Sequence, residues 1–310
     1  MTEANLSETI SYAIPLYNKA RYIAGVLDSV IAEYRQTGGE IIVYDDASTD
    51  NSAAIVANIA ALAPVRLIRG ERNAGVFAAT NILVREAACP FLRIIDADDQ
   101  IAIGSTRHLL ENLQRHDGVL IHGGSSRIGK DSLHQDFSRA VASVDADPFR
   151  DAVRSVNYNL SVSLIRTDCA KAVLPLPPER RISQDLCLSL RLTRLGRFVT
   201  TDGMVALCPE EWENRLSGRR AAMYRDICLI IADELKADAS PAHAAFAVRR
   251  HAARCQKYFR REAPGKLGVA EKLFLTGCRA ALPVEPLSWQ ADRLRRVAGF
   301  YTRDEARALA

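Results

Sequence analysis

The sequence has no C-x-x-C pair, and its seven cysteines stand singly. An odd, scattered set in a chain of 310 residues, long enough to bury a core without staples, argues against a disulfide scaffold and against a zinc cage. Reduced thiols are expected, as in a cytosol, most of them acting as small buried hydrophobes. Long apolar runs are missing as well: ICLIIADEL and LFLTGCRAALP fall well short of the ~20 residues that cross a bilayer. The start, MTEANLSETISYAIPLYN, is acidic and then amphipathic, without a basic segment leading into an apolar stretch, so no secretory leader is expected. Glycine-rich phosphate loops are absent too. Without G-x-G-x-x-G after the first strand, or G-x-x-x-x-G-K-[ST], neither a dinucleotide nor a triphosphate is cradled by such a loop. G-x-S-x-G and H-E-x-x-H are also missing, so the nucleophile elbow and the zinc-protease helix are not expected.

What is present is ordinary soluble composition, 48% apolar and 25% charged, arranged in an alternating pattern. TISYAIPL reads as a strand, and Ile23, Val26, Leu27, Val30, Ile31 and Tyr34 then recur at helical spacing. EIIVYDD is a second strand. The DASTDNS cluster suits an N-cap, and Ile55, Ile59 and Leu62 mark the helix behind it. PVRLIRG, AGVFAATNILVREAA, FLRIID and a helix over 105–115 continue the series. Strand and helix in alternation predict an α/β fold, with a parallel sheet and crossover helices.

That order gives meaning to RIIDADDQ, residues 93–100, where three carboxylates follow an apolar run. Two unit charges about 4 Å apart repel by about 4 kcal/mol at an effective dielectric near 20, so Asp96, Asp98 and Asp99 need something positive among them. A single acidic turn is as often a solvated loop. Here, however, the first strand runs into Pro15, Tyr17 and Asn18, and the second into Asp45 and Asp46. Parallel strands deliver all three groups to one sheet edge, where ligands of open α/β sheets bind. Carboxylates and hard oxygens suit Mg²⁺ or Mn²⁺, held through one or two carboxylates and the phosphates of a substrate such as a nucleoside diphosphate.

At this point AIPLYNKARYIAGVLDSV, EIIVYDDASTDNSAAI, RNAGVFAATN and FLRIIDADD together resemble the amino-terminal half of family 2 glycosyltransferases. The resemblance covers residues 9–115. It implies a GT-A fold with a mostly parallel, Rossmann-like sheet and helices on both faces, and sugar transfer with inversion from a nucleotide-sugar, assisted by Mg²⁺ or Mn²⁺, in polysaccharide or glycolipid synthesis. On the same basis Pro15, Tyr17 and Asn73 line the nucleotide pocket, Asp46 reads the base, Asp96 approaches ribose or base, and Asp98 holds the metal. An Asp at a base edge accepts an N–H, which uracil offers, so a uridine donor is expected. Further on, RRISQDLCLSLRLTRLGRF resembles the family's E-D-x-x-L-x-x-R-x-x-x-x-G segment, which makes Asp185 the expected general base. Near a helix start, after Ser183 as a cap, the helix dipole is expected to favour its ionised form.

Three positions depart from the family pattern: Gln184 stands for the usual Glu, Thr80 for a common Arg, and Asn214 for a metal-binding His. A non-catalytic nucleotide- or sugar-binding relative therefore stays open. A nucleotidyltransferase is the lesser alternative, since it calls for a glycine-rich loop where AIPLYNKARYI has none.

The expected organisation is a transferase domain over 1–218, with a nucleotide half at 9–122 and an acceptor half at 123–218, followed by a basic helical region at 219–310. That last region holds 18 Lys/Arg against 10 Asp/Glu, a net of +8, while the rest carries 23 against 27, a net of −4. In RRHAARCQKYFRR, Arg250, Arg254, Lys257 and Arg261 fall on one helical stripe. Two readings of it stay open, a solvated helix face or a surface resting on anionic lipid, which would suit a lipid-linked rather than a soluble carbohydrate acceptor. Nucleic acid is not expected as a partner, because the acidic sheet edge would repel its backbone. A cytoplasmic location, peripheral to the membrane in the second reading, follows.

Overall fold

The computed structural model describes residues 10–128, 133–155, 159–180, 182–209, 220–235 and 239–309. They form two compact units. In the first, β1 (Ile10–Leu16), α1 (Ile23–Thr37), β2 (Glu40–Asp45), α2 (Ser52–Ala60), β3 (Val65–Arg69), α3 (Val76–Glu86) and β4 (Phe91–Ile94) alternate as expected. There follow β5 (Gln100–Ile101), α4 (Ser105–Arg115), β6 (Gly118–Arg127), β7 (Ala142–Val144), and, after α5 (Pro148–Ser155) of the second unit, β8 (Ser163–Arg166), α6 (Thr167–Ala172), α7 (Gln184–Leu192) and β9 (Arg197–Cys208).

The strands make one sheet ordered β3-β2-β1-β4-β8-β6-β9-β5, with β7 on β9. β1, β2, β3 and β4 are parallel, whereas β8 enters antiparallel between β4 and β6. β1 is buried along almost its whole length, which is why its sequence is a continuous apolar run instead of an alternating one. One face of α1 presents Ile23, Val26, Leu27 and Val30 to the core, each 0–1% exposed. Burying each such side chain contributes about 1.5–3 kcal/mol.

Two features fix where the sheet edge opens. Pro15 carries no N–H, and the β1–β4 ladder ends just before it, at Ala13 paired with Ile94 and accepting the Ile95 N–H at 2.9 Å. Beneath that end lies a buried charge pair, Arg93 on β4 and Glu33 on α1, 3.8 Å apart and almost wholly enclosed. Arg93 also donates to Ser105 Oγ and the Val205 carbonyl, while Glu33 accepts the Thr106 N–H at the start of α4.

The second unit is helical: α5, α8 (Arg220–Glu234), α9 (Pro241–Arg261), α10 (Val269–Cys278) and α11 (Leu287–Leu309). Its core gathers Tyr224, Tyr258, Phe259 and Tyr301, with ring centroids 5.1–6.0 Å apart. Cys228, Cys255 and Cys278 are buried there, and burial pushes the Cys255 and Cys278 thiols up to about 12 and about 11. The basic stripe is not continuous. Arg250 and Arg254 both donate to the Arg154 carbonyl at the end of α5, at 2.8 and 3.1 Å, and Arg254 lies over the Tyr224 ring. The last carbonyls of a helix need donors, and these two arginines supply them. Arg254 is half-buried, whereas Arg250, Lys257 and Arg261 are exposed.

Among the described residues no helix is long and apolar enough to cross a membrane.

Candidate functional site

The ends of β1 and β2 are stitched together by the polar residues of their motifs. Asn18 leaves β1 with φ of 52°, and its Oδ1 accepts the N–H of Thr49 at 2.8 Å and of Asp50 at 3.3 Å. Its own N–H goes to Ser48 Oγ. Asp50 answers by accepting the Ala20 N–H at 3.0 Å and the Ser52 N–H at 2.9 Å, the first N–H of α2, whose N-cap residue is Asn51 without a side-chain cap bond. Partial burial works against its charge, but the bonds from Ser52 and Ala20 prevail and hold this carboxyl below the ordinary value. Asn18 and Asp50 thus fix the loop geometry. The sequence placed Asn18 at the sheet edge, whereas Asp50 was not singled out although it lies inside the quoted motif.

Asp46, one residue beyond β2, takes the N–H of Ala74 at 2.9 Å on one oxygen and of Gly75 at 2.7 Å on the other. Gly75 precedes α3 with φ of 90°, a conformation that favours glycine. Asp46 therefore pins the loop that carries Asn73, which is exposed. Pro15 is half-buried and Tyr17 exposed at the same end of the sheet. Thr80, in place of the common Arg, is buried and bonds back to the Val76 carbonyl.

The acidic turn closes through the Asp99 N–H on the Asp96 carbonyl at 2.9 Å, and Ser161 Oγ accepts the Asp96 N–H. Lys19 Nζ lies 2.6 Å from Asp98 Oδ2. Asn159 Nδ2 donates to Asp99 at 3.4 Å. Burial, followed by the charges of Asp99, Asp98 and Asp185, pushes the Asp96 carboxyl well above the usual range, and Lys19 opposes the shift only in part. Asp185, nearly ninety positions away in sequence, is therefore brought into the electrostatic field of the turn.

Asp185 sits in the first turn of α7, preceded by Ser183 with φ of 71°, whose carbonyl accepts the Cys187 N–H. The expected net effect of the helix start is overturned. Burial dominates and pushes Asp185 up to about 6, although the Leu186 N–H, 2.8 Å from Oδ1, works the other way. Desolvation of a charge outweighs the dipole of a single helix turn here.

Among the described residues no three His, Cys, Asp or Glu side chains converge into a finished metal cage. The hard-oxygen donor set fits a cation that borrows most of its ligands from a diphosphate. Asn214 lies outside the described residues.

Residues 11–162 match the model of glycosyl transferase family 2. Glycosyltransferase GlyG of Streptococcus pneumoniae is 30% identical over 119 residues, 38% of this chain and 39% of that protein, so the match spans about two fifths of that relative's length. The structure of S. aureus TarS 1–349 in complex with UDP-GlcNAc superposes with a TM-score of 0.69 at 17% identity, covering 96% of this chain and 92% of that one. The mannosyltransferase PcManGT from Pyrobaculum calidifontis, in complex with GDP-Man and Mn²⁺, gives 0.57 at 15% identity, covering 96% and 88%. Residues 11–162 thus carry a glycosyl transferase family 2 domain, and the fold is GT-A.

Proposed function

We propose that the chain transfers a glycosyl group from a nucleoside diphosphate sugar, uridine in preference, to a carbohydrate or lipid-linked acceptor hydroxyl, with inversion, in building a polysaccharide or glycolipid. The observation that carries this reading is Asp185, a carboxyl that burial pushes up to about 6 beside the acidic turn. A base of that strength is ionised at neutral pH and yet draws a proton better than an ordinary aspartate. Asp185 takes the acceptor hydroxyl's proton as the oxygen attacks the anomeric carbon. The bond from that carbon to the diphosphate breaks, and its electron pair leaves with the nucleoside diphosphate.

Asp98, backed by Asp96 and Asp99, would hold Mg²⁺ or Mn²⁺. Such an ion, when bound, stabilises the charge that develops on the leaving diphosphate. Pro15, Tyr17 and Asn73 flank the nucleoside, and Asp96 turns to ribose or base. Each Asp46 oxygen accepts one backbone N–H and keeps a second acceptor site, enough for the N–H of uracil. In this reading 1–218 is the transferase, with donor and acceptor sides at 9–122 and 123–218, and 219–310 is an accessory basic region.

Calorimetry with UDP, GDP and ADP, each with and without Mn²⁺, tests the reading, together with release of UDP from UDP-GlcNAc. Mn²⁺-dependent binding of UDP that disappears in Asp98→Ala supports it. No metal-dependent binding of any nucleotide overturns it. Full turnover by Asp185→Asn would remove Asp185 as the base.

A further inference from the structure

The second unit exposes apolar side chains where water gives them no support. Val269 and Leu273 on α10, Leu282 and Val284 in the turn after it, and Trp289 at the start of α11 are each 57–84% exposed. Val269 and Leu273 are one helical turn apart, opposite Leu275 and Cys278, which are buried. Isolated exposed hydrophobes are ordinary, but five within 21 positions are not.

The polar surroundings decide what such a face can meet. Gln256 on α9 donates to Thr276 Oγ1 and accepts from Arg279, each at 3.3 Å, so this flank of α10 is turned to α9. Lys272 and Arg279, seven positions apart, share that flank, and both are exposed, as are Lys257 and Arg260 on α9. Nearby acids are already engaged: Glu262 with Arg220, and Glu271 with Arg303. Exposed apolar side chains on α10 and the turn after it are thus accompanied by exposed basic ones on α9 and α10.

The turn after α10 is also prepared to lose water. Glu285 takes both terminal nitrogens of Arg293, the Leu282 N–H at 3.2 Å and Gln290 Nε2 at 2.8 Å. Gln290 donates to the Leu282 carbonyl at 3.0 Å, and Arg249 donates to that of Ala281. Pro283 and Pro286 have no N–H to satisfy. Backbone groups with internal partners can be withdrawn from water at little cost, whereas unpaired ones cannot.

We propose that the outer face of α10 and the turn leading into α11 form a docking surface for an anionic lipid bilayer, with Leu273, Val284 and Trp289 seated in the headgroup layer and Lys257, Arg260, Lys272 and Arg279 on lipid phosphates. A second copy of the chain is the poorer occupant, because a two-fold contact through this face would set basic side chains against basic ones. The surface does not depend on the transferase reading.

The test uses the full chain carrying Trp212→Phe, which leaves Trp289 as the one tryptophan, since the sequence has two. Its emission and cosedimentation are followed with vesicles of phosphatidylcholine alone and of equimolar phosphatidylcholine and phosphatidylglycerol. A blue shift and cosedimentation on the anionic vesicles alone are expected, weakening as salt rises and the Debye length falls from about 30 Å at 0.01 M to about 8 Å at 0.15 M. Each basic side chain multiplies partitioning about fivefold, so Lys272→Gln with Arg279→Gln costs about thirtyfold, while UDP affinity stays as in the parent. Val284→Asp is expected to abolish the shift. No binding, or equal binding to both vesicle types, overturns the proposal. So does a blue-shifted Trp289 without lipid that follows concentration-dependent dimerisation, which would assign the face to a second copy. Should Val284→Asp misfold by circular dichroism, the glutamine pair decides.

Discussion

Replacing Asp185 by Asn is expected to make the protein more stable and less active at once. The substitution keeps the Oδ1 acceptor for the Leu186 N–H and removes the charge that burial disfavours. An acid raised from 3.8 to about 6 on folding holds, between those values, a proton that the unfolded chain has released. Folding stability therefore falls as pH rises through that window and stays lower above it, by at most about 3 kcal/mol. At about 2 °C per kcal/mol for a chain of this size, Asp185→Asn should melt about 6 °C higher than the parent at pH 7.5 and no higher at pH 3.5. Differential scanning calorimetry at the two pH values measures this without substrate. The kinetic counterpart is kcat/KM of the parent against pH. A base titrating at about 6 is about one-tenth ionised at pH 5, so activity should fall about tenfold between pH 7.5 and pH 5. An ordinary aspartate at 3.8 would leave the rate nearly flat over the same interval. A flat profile, or a variant no more stable at pH 7.5, would refute the claim that burial governs this carboxylate.

The remaining predictions concern the residues around it. Asp46→Ala should weaken UDP binding more than GDP or ADP binding by calorimetry, and equal losses would show that Asp46 serves only the loop at Ala74 and Gly75. Lys19→Met removes the ammonium from Asp98 and should strengthen binding of Mn²⁺ alone at least threefold; weaker metal binding would mean that Lys19 supports the turn and does not compete for it. Glu33→Gln should cost about 3–5 kcal/mol in urea unfolding, because it strands the Arg93 charge in the core, and adding Arg93→Met should restore much of the loss.

The first hundred residues were legible because local pattern and global fold agree there. The apolar run of β1, the helical spacing of Ile23 to Val30, and the acids after β2 and β4 each predict their own element, and parallel pairing then brings the acids to one edge. The second half is less legible. β8 joins antiparallel between β4 and β6, and neither its short segment SLIR nor its neighbours announce a partner so distant in sequence. The buried pair of Arg93 and Glu33 is invisible for the same reason: Arg93 reads as a lapse in an apolar strand until the fold sets it 3.8 Å from a residue 60 positions earlier.

Charge was the hardest property to read, since its effect depends on what surrounds it. From sequence Asp185 was an acid at a helix start, favoured by the dipole. In the folded chain, desolvation reverses the net effect and turns a first-turn acid into a stronger base. Arg250 and Arg254 were part of a stripe, and the carbonyl of Arg154 takes both. Periodicity told where these side chains stand along a helix, and only packing tells which of them still faces water. Lys257, Lys272 and Arg279 face water and can meet an anionic partner, whereas Arg254 of the same stripe as Lys257 is half-buried over the Tyr224 ring.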